Sequence, residues 1–215
     1  MRIIEPSVEV MTPLDGNQIL VNIEAAGRVC YKSEDKIDEN SAKRFVSTII
    51  KSGHEAVLEH QNITVKFICD RGVSHEIVRH RLASYCQEST RYCNYYKDKF
   101  NKEITVIKPC FWNEENDNYA MWRRACELAE VYYLSLIENG ATPQEARSVL
   151  PNSLKTEVVM TANLREWRHF LKLRTSKAAH PQMREVANKL LKIFKDNIPI
   201  VFDDIGENNE ETESN

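Results

Sequence analysis

Residues 62–79 read NITVKFICDRGVSHEIVR, and this stretch predicts a strand that runs directly into a helix. In its first half, apolar side chains recur at every second position, which is the period of a strand with one buried face: Ile63, Val65, Phe67 and Cys69. From Arg71 the alternation stops, and a helix is predicted to Arg79. The fold is therefore expected to combine both kinds of element.

Other elements are predicted from the same periodicities on either side of this stretch. Strands are expected over residues 1–10, 104–107 and 154–161, while residues 84–90 fit either a strand or a loop. Helices are expected over residues 17–31, 41–51, 117–139, 143–147, 164–173 and 181–197. Because helices and strands mix without a steady strand–helix–strand rhythm, the pattern indicates the α+β class.

The composition is that of a globular protein. The 215 residues are 42% hydrophobic and 28% charged, which excludes a collagen, a mucin or a wholly disordered chain. The first residues lack the apolar segment of a secretory signal, and no apolar run approaches the ~18 residues of a membrane span. We therefore expect a cytoplasmic protein without a membrane partner.

The cysteines and histidines do not fall at the spacing of metal ligands, so no metal site is predicted. The six cysteines contain no C-x-x-C pair and are expected to be reduced thiols, several of them buried. The segment HEAVLEH at residues 54–60 differs from H-E-x-x-H, because its histidines are six residues apart rather than one helical turn apart.

Two basic segments stand out in a chain whose formal net charge is −3. Residues 71–91 carry four Arg against two Glu, and residues 147–184 carry eight Lys or Arg against two Glu. By contrast, residues 206–215 contain four Glu, no basic residue and no large apolar residue. We predict a disordered acidic tail at 206–215 and one domain over residues 1–205.

Glycine is scarce in this chain. Its six glycines are never closer than eleven residues apart, so the chain has neither a G-x-G-x-x-G fingerprint nor a P-loop. A nucleotide phosphate would therefore have to be bound by side chains or by helix N-termini. This makes the two basic segments the candidate anion sites.

The first basic segment contains, from Arg79 onward, the string RHRLASYCQESTRY. At a helix end, Arg79, His80 and Arg81 would fan around an anionic ligand. Ser89 and Arg91 are two residues apart, so an extended segment would place a hydroxyl and a guanidinium on one face, a suitable pair for phosphate. From charge alone, a solvated basic patch or arginines paired with acidic side chains stay open as the alternative.

This string resembles the signature of flavin-dependent thymidylate synthases, in which R-H-R is followed by Ser and then by Arg-Tyr. Two more segments agree in order along the chain. The family's segment upstream of the signature is similar to HEAVLEH at 54–60, followed by a strand and then by RGVSHE at 71–76. The family's C-terminal block is similar to three segments of this chain: NLREWRHF at 163–170, Leu173-Arg174, and AHPQMR at 179–184. The resemblance runs from about residue 1 to residue 205.

The resemblance implies reductive methylation of dUMP to dTMP. Methylenetetrahydrofolate would supply the carbon and FAD the hydride, and NADPH would reduce the flavin. It further implies a central, mostly antiparallel sheet flanked by helices in a single domain, assembled as a homotetramer with active sites shared between subunits. These ligands are all anionic, which would account for basic segments in an acidic protein.

The resemblance also implies individual site residues. For dUMP they are Glu76, Arg79, Gln87, Glu88, Ser89, Arg91, Arg147 and Arg174. For FAD they are His54, Arg79, His80, Arg81, Gln87, Asn163, Arg165 and His169. Arg174 is given the catalytic role, since a permanently charged guanidinium at the N3/O2 edge of uracil would stabilise negative charge on the ring. The chain departs from the family at Cys86 and Gln87, where many members have Asn and Glu.

No enzyme nucleophile is expected. None of the six cysteines lies in a motif that marks a nucleophile, and no G-x-S-x-G elbow surrounds Ser89, which is interpreted as a phosphate ligand. Two other functions stay open from the sequence. A nucleic-acid-binding module is suggested by basic segments with tyrosines such as Tyr92, although the net charge is negative and no RNA-binding motif is present. The other is a flavin- or nucleotide-binding protein without turnover.

Overall fold

The computed structural model describes residues 1–206. The predicted acidic tail at 206–215 therefore lies outside the described residues, apart from Gly206. The chain groups into two compact units. The first unit consists of Met1–Ser7, Phe67–Arg79 and Tyr85–Val159, and the second consists of the remaining stretches, which begin at Val8, His80 and Met160.

The described residues form short strands and longer helices. The strands are β1 (Arg2–Ile4), β2 (Ser7–Val10), β3 (Asn62–Asp70), β4 (Ala83–Gln87), β5 (Thr105–Ile107) and β6 (Lys155–Asn163). The helices are α1 (Gly16–Val29), α2 (Ser41–Lys51), α3 (Arg71–Ile77), α4 (Asp117–Glu138), α5 (Pro143–Ala146), α6 (Leu164–Arg174) and α7 (Pro181–Asn197). Short 3-10 segments cover Glu34–Lys36, Glu55–His60, Asp98–Phe100 and Arg147–Val149.

The prediction of a single N-terminal strand over residues 1–10 is wrong. The strand is interrupted at Pro6, whose ring nitrogen has no hydrogen to donate to a ladder. β1 pairs in parallel with β5, with Ile3 opposite Val106, whereas β2 belongs to the other sheet. The ambiguous stretch at 84–90 is a strand only as far as the end of β4, after which the chain turns.

The larger sheet contains four strands in the order β2–β3–β6–β4, and it is an antiparallel sheet flanked by helices. Along β3 and β6, buried side chains alternate with partly exposed ones, which is the period from which β3 was predicted. The mixed helix-and-strand class expected from the sequence is confirmed. Among residues 1–206, no helix combines the length and the apolar character that crossing a membrane would require.

The first unit has its own hydrophobic core, built on one face of α4. Cys126 and Tyr133 of this helix are buried in one cluster with Tyr95, Ile104 and Val106. The hydroxyl of Tyr133 also accepts a hydrogen bond from the backbone N–H of Tyr95 at 3.3 Å. The loop between β4 and β5 is thereby fixed to the longest helix of the chain.

The second unit has a separate core in which aromatic rings pack edge to face. Trp167 of α6 is fully buried, and its indole N–H donates to the carbonyl of Ile63 on β3 at 3.0 Å. Its ring centroid lies 5.5 Å from that of Phe170 and 5.7 Å from that of Phe194 on α7. These contacts fix the orientation of α6 within this unit.

Helices α1 and α2 of the second unit approach closely at a glycine. A Cβ placed on Gly27 would lie 2.5 Å from the ring of Phe45, well inside van der Waals contact. The glycine in the middle of α1 is therefore explained by packing against α2, which outweighs the low helix propensity of glycine.

Helix α6 exposes a basic face and buries an apolar one. It begins at Leu164 because the side chain of Asn163 accepts a hydrogen bond from the N–H of Glu166 at 2.9 Å. The buried apolar residues recur at helical spacing: Leu164, Trp167, Phe170 and Leu171. The exposed basic residues are Arg165, His169 and Lys172, at positions i, i+4 and i+7. This face forms part of the candidate site.

Candidate functional site

A cavity of about 610 Å³ opens beside α6 in the second unit. Three of the residues predicted to contact FAD lie in its wall: Asn163, Arg165 and His169. The wall is completed by Glu55, Glu59, Leu82, Glu166 and Lys172. The volume falls within the range of about 300–1,000 Å³ that is typical of small-molecule sites.

The positive charges in this wall are held only loosely by carboxylates. Arg165 pairs with Glu59 at 2.6 Å, and both side chains are about half exposed. Lys172 lies 3.7 Å from Glu55. Exposed ion pairs of this kind are worth about 0–1 kcal/mol, so an anionic ligand could recruit either cation at little cost.

A chain of three hydrogen-bonded side chains begins at Glu166 in the cavity wall. The Glu166 carboxylate lies 2.9 Å from Nδ1 of His80. At the other side of the imidazole, Nε of Arg174 donates to Nε2 of His80 at 3.1 Å. His80 and Glu166 are buried, with 5% and 7% of their surface exposed. The sequence predicted His80 and Arg174 as site residues, and the structure places Glu166 with them.

These two contacts define the protonation state of His80. A guanidinium can only donate, so Nε2 of His80 must accept, and the ring proton must lie on Nδ1, facing Glu166. Burial lowers the pKa of His80, and the charges of Arg174 and His169 lower it further, while the hydrogen bond with Glu166 acts in the opposite direction. With its pKa below the usual value of 6.5, the ring is neutral at physiological pH.

The ligand atoms of His80, Glu166 and His169 also lie within 4.8 Å of one another, a separation that a metal ion could bridge. The hydrogen bonds favour a different use of the imidazole. A metal on His80 would have to replace the contact with Glu166 or the contact with Arg174, and the guanidinium charge would oppose a cation at that distance. This cluster is therefore better described as a hydrogen-bonded chain than as a metal site.

A second cavity, of about 250 Å³, lies in the first unit. Its wall contains Arg147, which was predicted to bind dUMP, together with Arg71, His75 and Thr90. Two guanidiniums, an imidazole and a hydroxyl around one cavity are the donors that a phosphate dianion requires. This is the basic cluster of the first unit.

Local structure explains how Arg147 reaches this cavity. Pro143 stands at the first turn of α5, and the Glu145 carboxylate accepts from the N–H of Thr142 at 2.7 Å, so the helix start is fixed. Arg147 follows at the end of this short helix. One of its Nη atoms donates to the Thr90 hydroxyl at 3.3 Å.

Two further residues predicted to bind dUMP are engaged elsewhere in the first unit. The Glu88 carboxylate accepts from the Tyr95 hydroxyl at 3.1 Å and from Lys155 at 2.9 Å, and it lines another cavity, of about 140 Å³. The Gln87 amide donates to Ser74 at 3.0 Å and to Thr156 at 3.3 Å. Within this unit, their side chains are held by protein partners rather than presented to the cavity of Arg147.

The remaining predicted residues lie outside the three cavities in the described part of the chain. The exposed ones are His54, Arg79, Arg81 and Arg91, and the partly buried ones are Glu76 and Ser89. The Arg91 guanidinium lies 5.5 Å from the centroid of the Tyr92 ring. None of these six residues lines one of the three cavities described above.

Several residues that the sequence did not assign to a site line the cavities. Arg71, His75 and Thr90 lie around the cavity of Arg147, and Lys172 lies in the wall beside α6. Lys172 could have been found from the sequence, since it shares a helix face with Arg165 and His169. Arg71 and His75 follow β3 directly, but nothing in the sequence indicated that Arg147 would lie beside them.

All six cysteines are free in the structure. Burial raises the pKa of the Cys126 thiol to about 11, and it raises the pKa of Cys69 and of Cys93 as well. These three thiols are therefore protonated at neutral pH and are poor nucleophiles.

Comparison with known proteins shows the family. The family model described as "Thymidylate synthase complementing protein" (Thy1) matches residues 16–200. The flavin-dependent thymidylate synthase of Pyrococcus furiosus is 36% identical over 167 residues, which cover 77% of this chain and 68% of that protein. That of Corynebacterium aurimucosum is 32% identical over 200 residues, covering 85% and 78%. That of Mycobacteroides abscessus is 33% identical over 217 residues, covering 93% and 84%.

A solved structure shares the fold. The crystal structure of the UMP/dUMP methylase PolB from Streptomyces cacaoi, bound with 5-Br dUMP, superimposes with a TM-score of 0.75 and covers 94% of this chain and 95% of that one. Its sequence identity is 23%, so this likeness concerns the fold. The match of the family model over most of the chain, together with these curated relatives, shows that the chain belongs to the flavin-dependent thymidylate synthase (Thy1) family.

Proposed function

We propose that this protein methylates dUMP to dTMP in the cytoplasm, with methylenetetrahydrofolate as carbon donor, FAD as the resident cofactor and NADPH as its reductant. The observation that carries the proposal is that Asn163, Arg165 and His169, three residues to which the resemblance gives FAD contacts, line one cavity. The alternatives, a nucleic-acid-binding module and a binding protein without turnover, are less favoured, because the curated relatives are named as synthases.

The residues of the cavity beside α6 fit an FAD. Arg165 and Lys172 supply positive charge for the pyrophosphate, and the Asn163 amide and the His169 imidazole supply hydrogen bonds. These donors take the place of the glycine-rich loop that the chain lacks. Bound there, reduced FAD would supply the hydride for the new methyl group.

The basic cluster of the first unit suits the phosphate of dUMP. Arg147 and Arg71 supply two permanent positive charges, and the Thr90 hydroxyl already accepts a hydrogen bond from Arg147. A phosphate dianion at this place would be held by charge-assisted hydrogen bonds, which are about twice as strong as neutral ones. We assign this cluster to phosphate binding.

Arg174 is the proposed catalytic residue. C5 of uracil is a weak nucleophile, and a cation at the N3/O2 edge stabilises negative charge that develops on the ring, which raises the electron density at C5. A guanidinium is suited to this task, because it keeps its charge throughout the reaction. The bond from its Nε to His80 uses one of five N–H donors and restrains the plane of the group.

A homotetramer with shared sites is part of the proposal. The residues assigned to dUMP and FAD come from many parts of the chain, from His54 to Arg174, and a shared site would explain how they act together. Helix α4 supports an assembly, because it exposes large apolar side chains: Met121 (62%), Leu128 (42%), Val131 (55%), Tyr132 (61%) and Leu136 (36%). An apolar helix face of this kind is typical of a subunit interface.

The absorption spectrum of the purified protein tests the proposed function. We expect a flavin spectrum that shifts when dUMP is added, and formation of dTMP when methylenetetrahydrofolate and NADPH are supplied. A colourless protein that takes up no added FAD would contradict the proposal, and RNA binding with a steep salt dependence would favour the nucleic-acid alternative. Binding of flavin and dUMP without formation of dTMP would favour the alternative of a binding protein without turnover.

Replacing Arg147 by alanine should weaken dUMP binding. The loss of one or two charge-assisted hydrogen bonds costs about 1.5–3 kcal/mol, which raises the Kd by about 10- to 150-fold. The Kd is measured by titrating dUMP against the flavin spectrum. Arg123→Ala is the matched control, because Arg123 is an exposed arginine of the first unit that pairs with Glu127 on α4. Equal Kd values for the two variants would contradict the assignment of Arg147 to the phosphate site.

A further inference from the structure

The chain Glu166–His80–Arg174 lies within the second unit and spans two segments that are distant in sequence. Glu166 and Arg174 stand at opposite ends of α6, and His80 comes from the segment just before β4. The imidazole is packed between rings, with its centroid 4.8 Å from that of Phe170 and 5.6 Å from that of His169. Its position is therefore set by packing as well as by hydrogen bonds.

We propose that Glu166 is a positioning residue, which holds His80 in the Nδ1–H form so that Nε2 can accept from Arg174 and fix the orientation of its guanidinium. This inference rests on the proposed function, since it gives Glu166 a part in placing the catalytic arginine. A carboxylate that fixes a histidine tautomer is a recurring arrangement in active sites. Here the imidazole acts as a neutral spacer between an acceptor and a donor.

The tautomer decides whether Nε2 of His80 can accept from Arg174. If the ring proton moved to Nε2, two donors would face each other across the 3.1 Å contact, and the guanidinium would have to turn away. Protonation of both ring nitrogens would have the same effect, and it would add charge repulsion. Glu166, His169 and Arg174, all from α6, face the ring. The charges of Arg174 and His169 oppose its protonation, whereas the hydrogen bond and the charge of Glu166 favour it.

The geometry also distinguishes this role from simple helix capping. Glu166 does stand in the first turn of α6, where a carboxylate interacts well with the helix dipole. However, Asn163 already caps the helix through the N–H of Glu166, while the Glu166 side chain is directed to His80. A residue needed only for the helix end would not require a buried imidazole as its partner.

Two substitutions separate the tautomer from the negative charge. Glu166→Leu removes the acceptor, so we expect the His80 proton to move to Nε2 and kcat to fall by about 10- to 100-fold, as for other residues that orient a functional side chain. Glu166→Gln keeps a carbonyl oxygen that can accept from Nδ1–H, so we expect kcat to stay within about threefold of the wild type. The KM for dUMP should change less than kcat in both variants.

The tautomer is read directly by nitrogen NMR of the holoenzyme labelled at histidine. The wild type and Glu166→Gln should show a protonated Nδ1 on His80, and Glu166→Leu a protonated Nε2. Glu185→Leu is the matched control, since Glu185 is a partly buried glutamate of α7 whose partner is Lys189. Its kcat and its His80 spectrum should equal those of the wild type, and a melting temperature is recorded for every variant to show that each one is folded.

The outcomes separate this inference from the proposed function. A wild-type His80 protonated at Nε2, or a folded Glu166→Leu variant with unchanged kcat, would overturn the positioning role. If the wild type forms no dTMP, the proposed function fails, yet the expected change of tautomer in Glu166→Leu would still support the control of the His80 tautomer by Glu166. A fall of kcat that is equal in the Gln and Leu variants would assign the effect to charge and reject the tautomer.

Discussion

Replacing Arg174 by alanine is expected to lower the rate of dTMP formation by about 30- to 1000-fold while the flavin stays bound. In the role proposed for Arg174, the substitution would remove one or two charge-assisted hydrogen bonds to the uracil ring at the point where negative charge develops. Their loss raises the barrier by about 2–4 kcal/mol, which corresponds to that range of rates. Single-turnover kinetics with the reduced enzyme measures the chemical step, and the flavin absorbance of the same sample measures occupancy.

Flavin binding should survive, because the proposal assigns it to other side chains. Asn163, Arg165 and His169 line the cavity beside α6 and are unaffected by the substitution. Arg44→Ala serves as the control, since Arg44 is an exposed arginine of the second unit that pairs with Asp38 on the surface. An Arg174→Ala variant with wild-type turnover would refute the catalytic assignment. A variant that binds no flavin would indicate that Arg174 belongs to the cofactor site instead.

Helix α6 shows how much of the site was visible in the sequence. The sequence predicted the helix over residues 164–173, and the resemblance supplied Asn163, Arg165 and His169. The part played by Glu166 was not visible, because a glutamate among basic residues on a helix is usually a partner in a surface ion pair. Only the fold brings His80 to it, a residue 86 positions away.

Long-range pairing likewise explains the error at the N-terminus. Residues 1–10 have the alternation of one strand, and local periodicity carries no information about which partner each half will find. β1 pairs with β5, about a hundred residues later, and β2 joins another sheet, so the chain must turn between them. Pro6 was the one local indication of that turn, since proline is tolerated mainly at strand ends and edges.

Glu88 shows the same limit for a single site residue. Its place in the signature predicted a contact with dUMP. The structure surrounds its carboxylate with Lys155 and Tyr95, and the burial of Tyr95 together with the Glu88 charge raises the pKa of this phenol. The partner lysine lies 67 residues further along the chain, so spacing alone could not show it. The role of Glu88 toward dUMP stays a prediction.

Replacing Arg168 by alanine is expected to lower the free energy of unfolding by about 2–4 kcal/mol. The hydrogen bonds of a buried guanidinium are lost, while the carboxylates left behind, 20% and 45% exposed, can be rehydrated. The Arg168 side chain is 1% exposed, and its Nε donates to Glu55 at 3.0 Å. Its two Nη atoms donate to the two carboxylate oxygens of Asp204 at 2.7 and 2.8 Å, and one of them also donates to the carbonyl of Val201. The guanidinium thus ties the residues after α7 to the 3-10 segment at Glu55.

Lys172→Ala provides a matched control for this change. Lys172 contacts the same two carboxylates, at 3.7 and 3.8 Å, but its side chain is 49% exposed. Removing it should therefore cost less than about 1 kcal/mol. Urea titrations followed by circular dichroism, at one fixed protein concentration, give both values. Similar losses for the two variants would mean that burial does not decide the strength of this cluster.

The difference between wild type and Arg168→Ala should also shrink in acid. Burial raises the pKa of Asp204, but the hydrogen bonds and charge of Arg168 outweigh this, and the pKa lies below its usual value of 3.8. A carboxyl group with a lowered pKa stabilises the folded state above its unfolded pKa, and this contribution is lost as the pH falls through the folded pKa. We therefore expect the full difference near pH 7 and a progressive decrease below about pH 3.8. A difference that is independent of pH would mean that Arg168 acts through packing and the Val201 carbonyl rather than through Asp204.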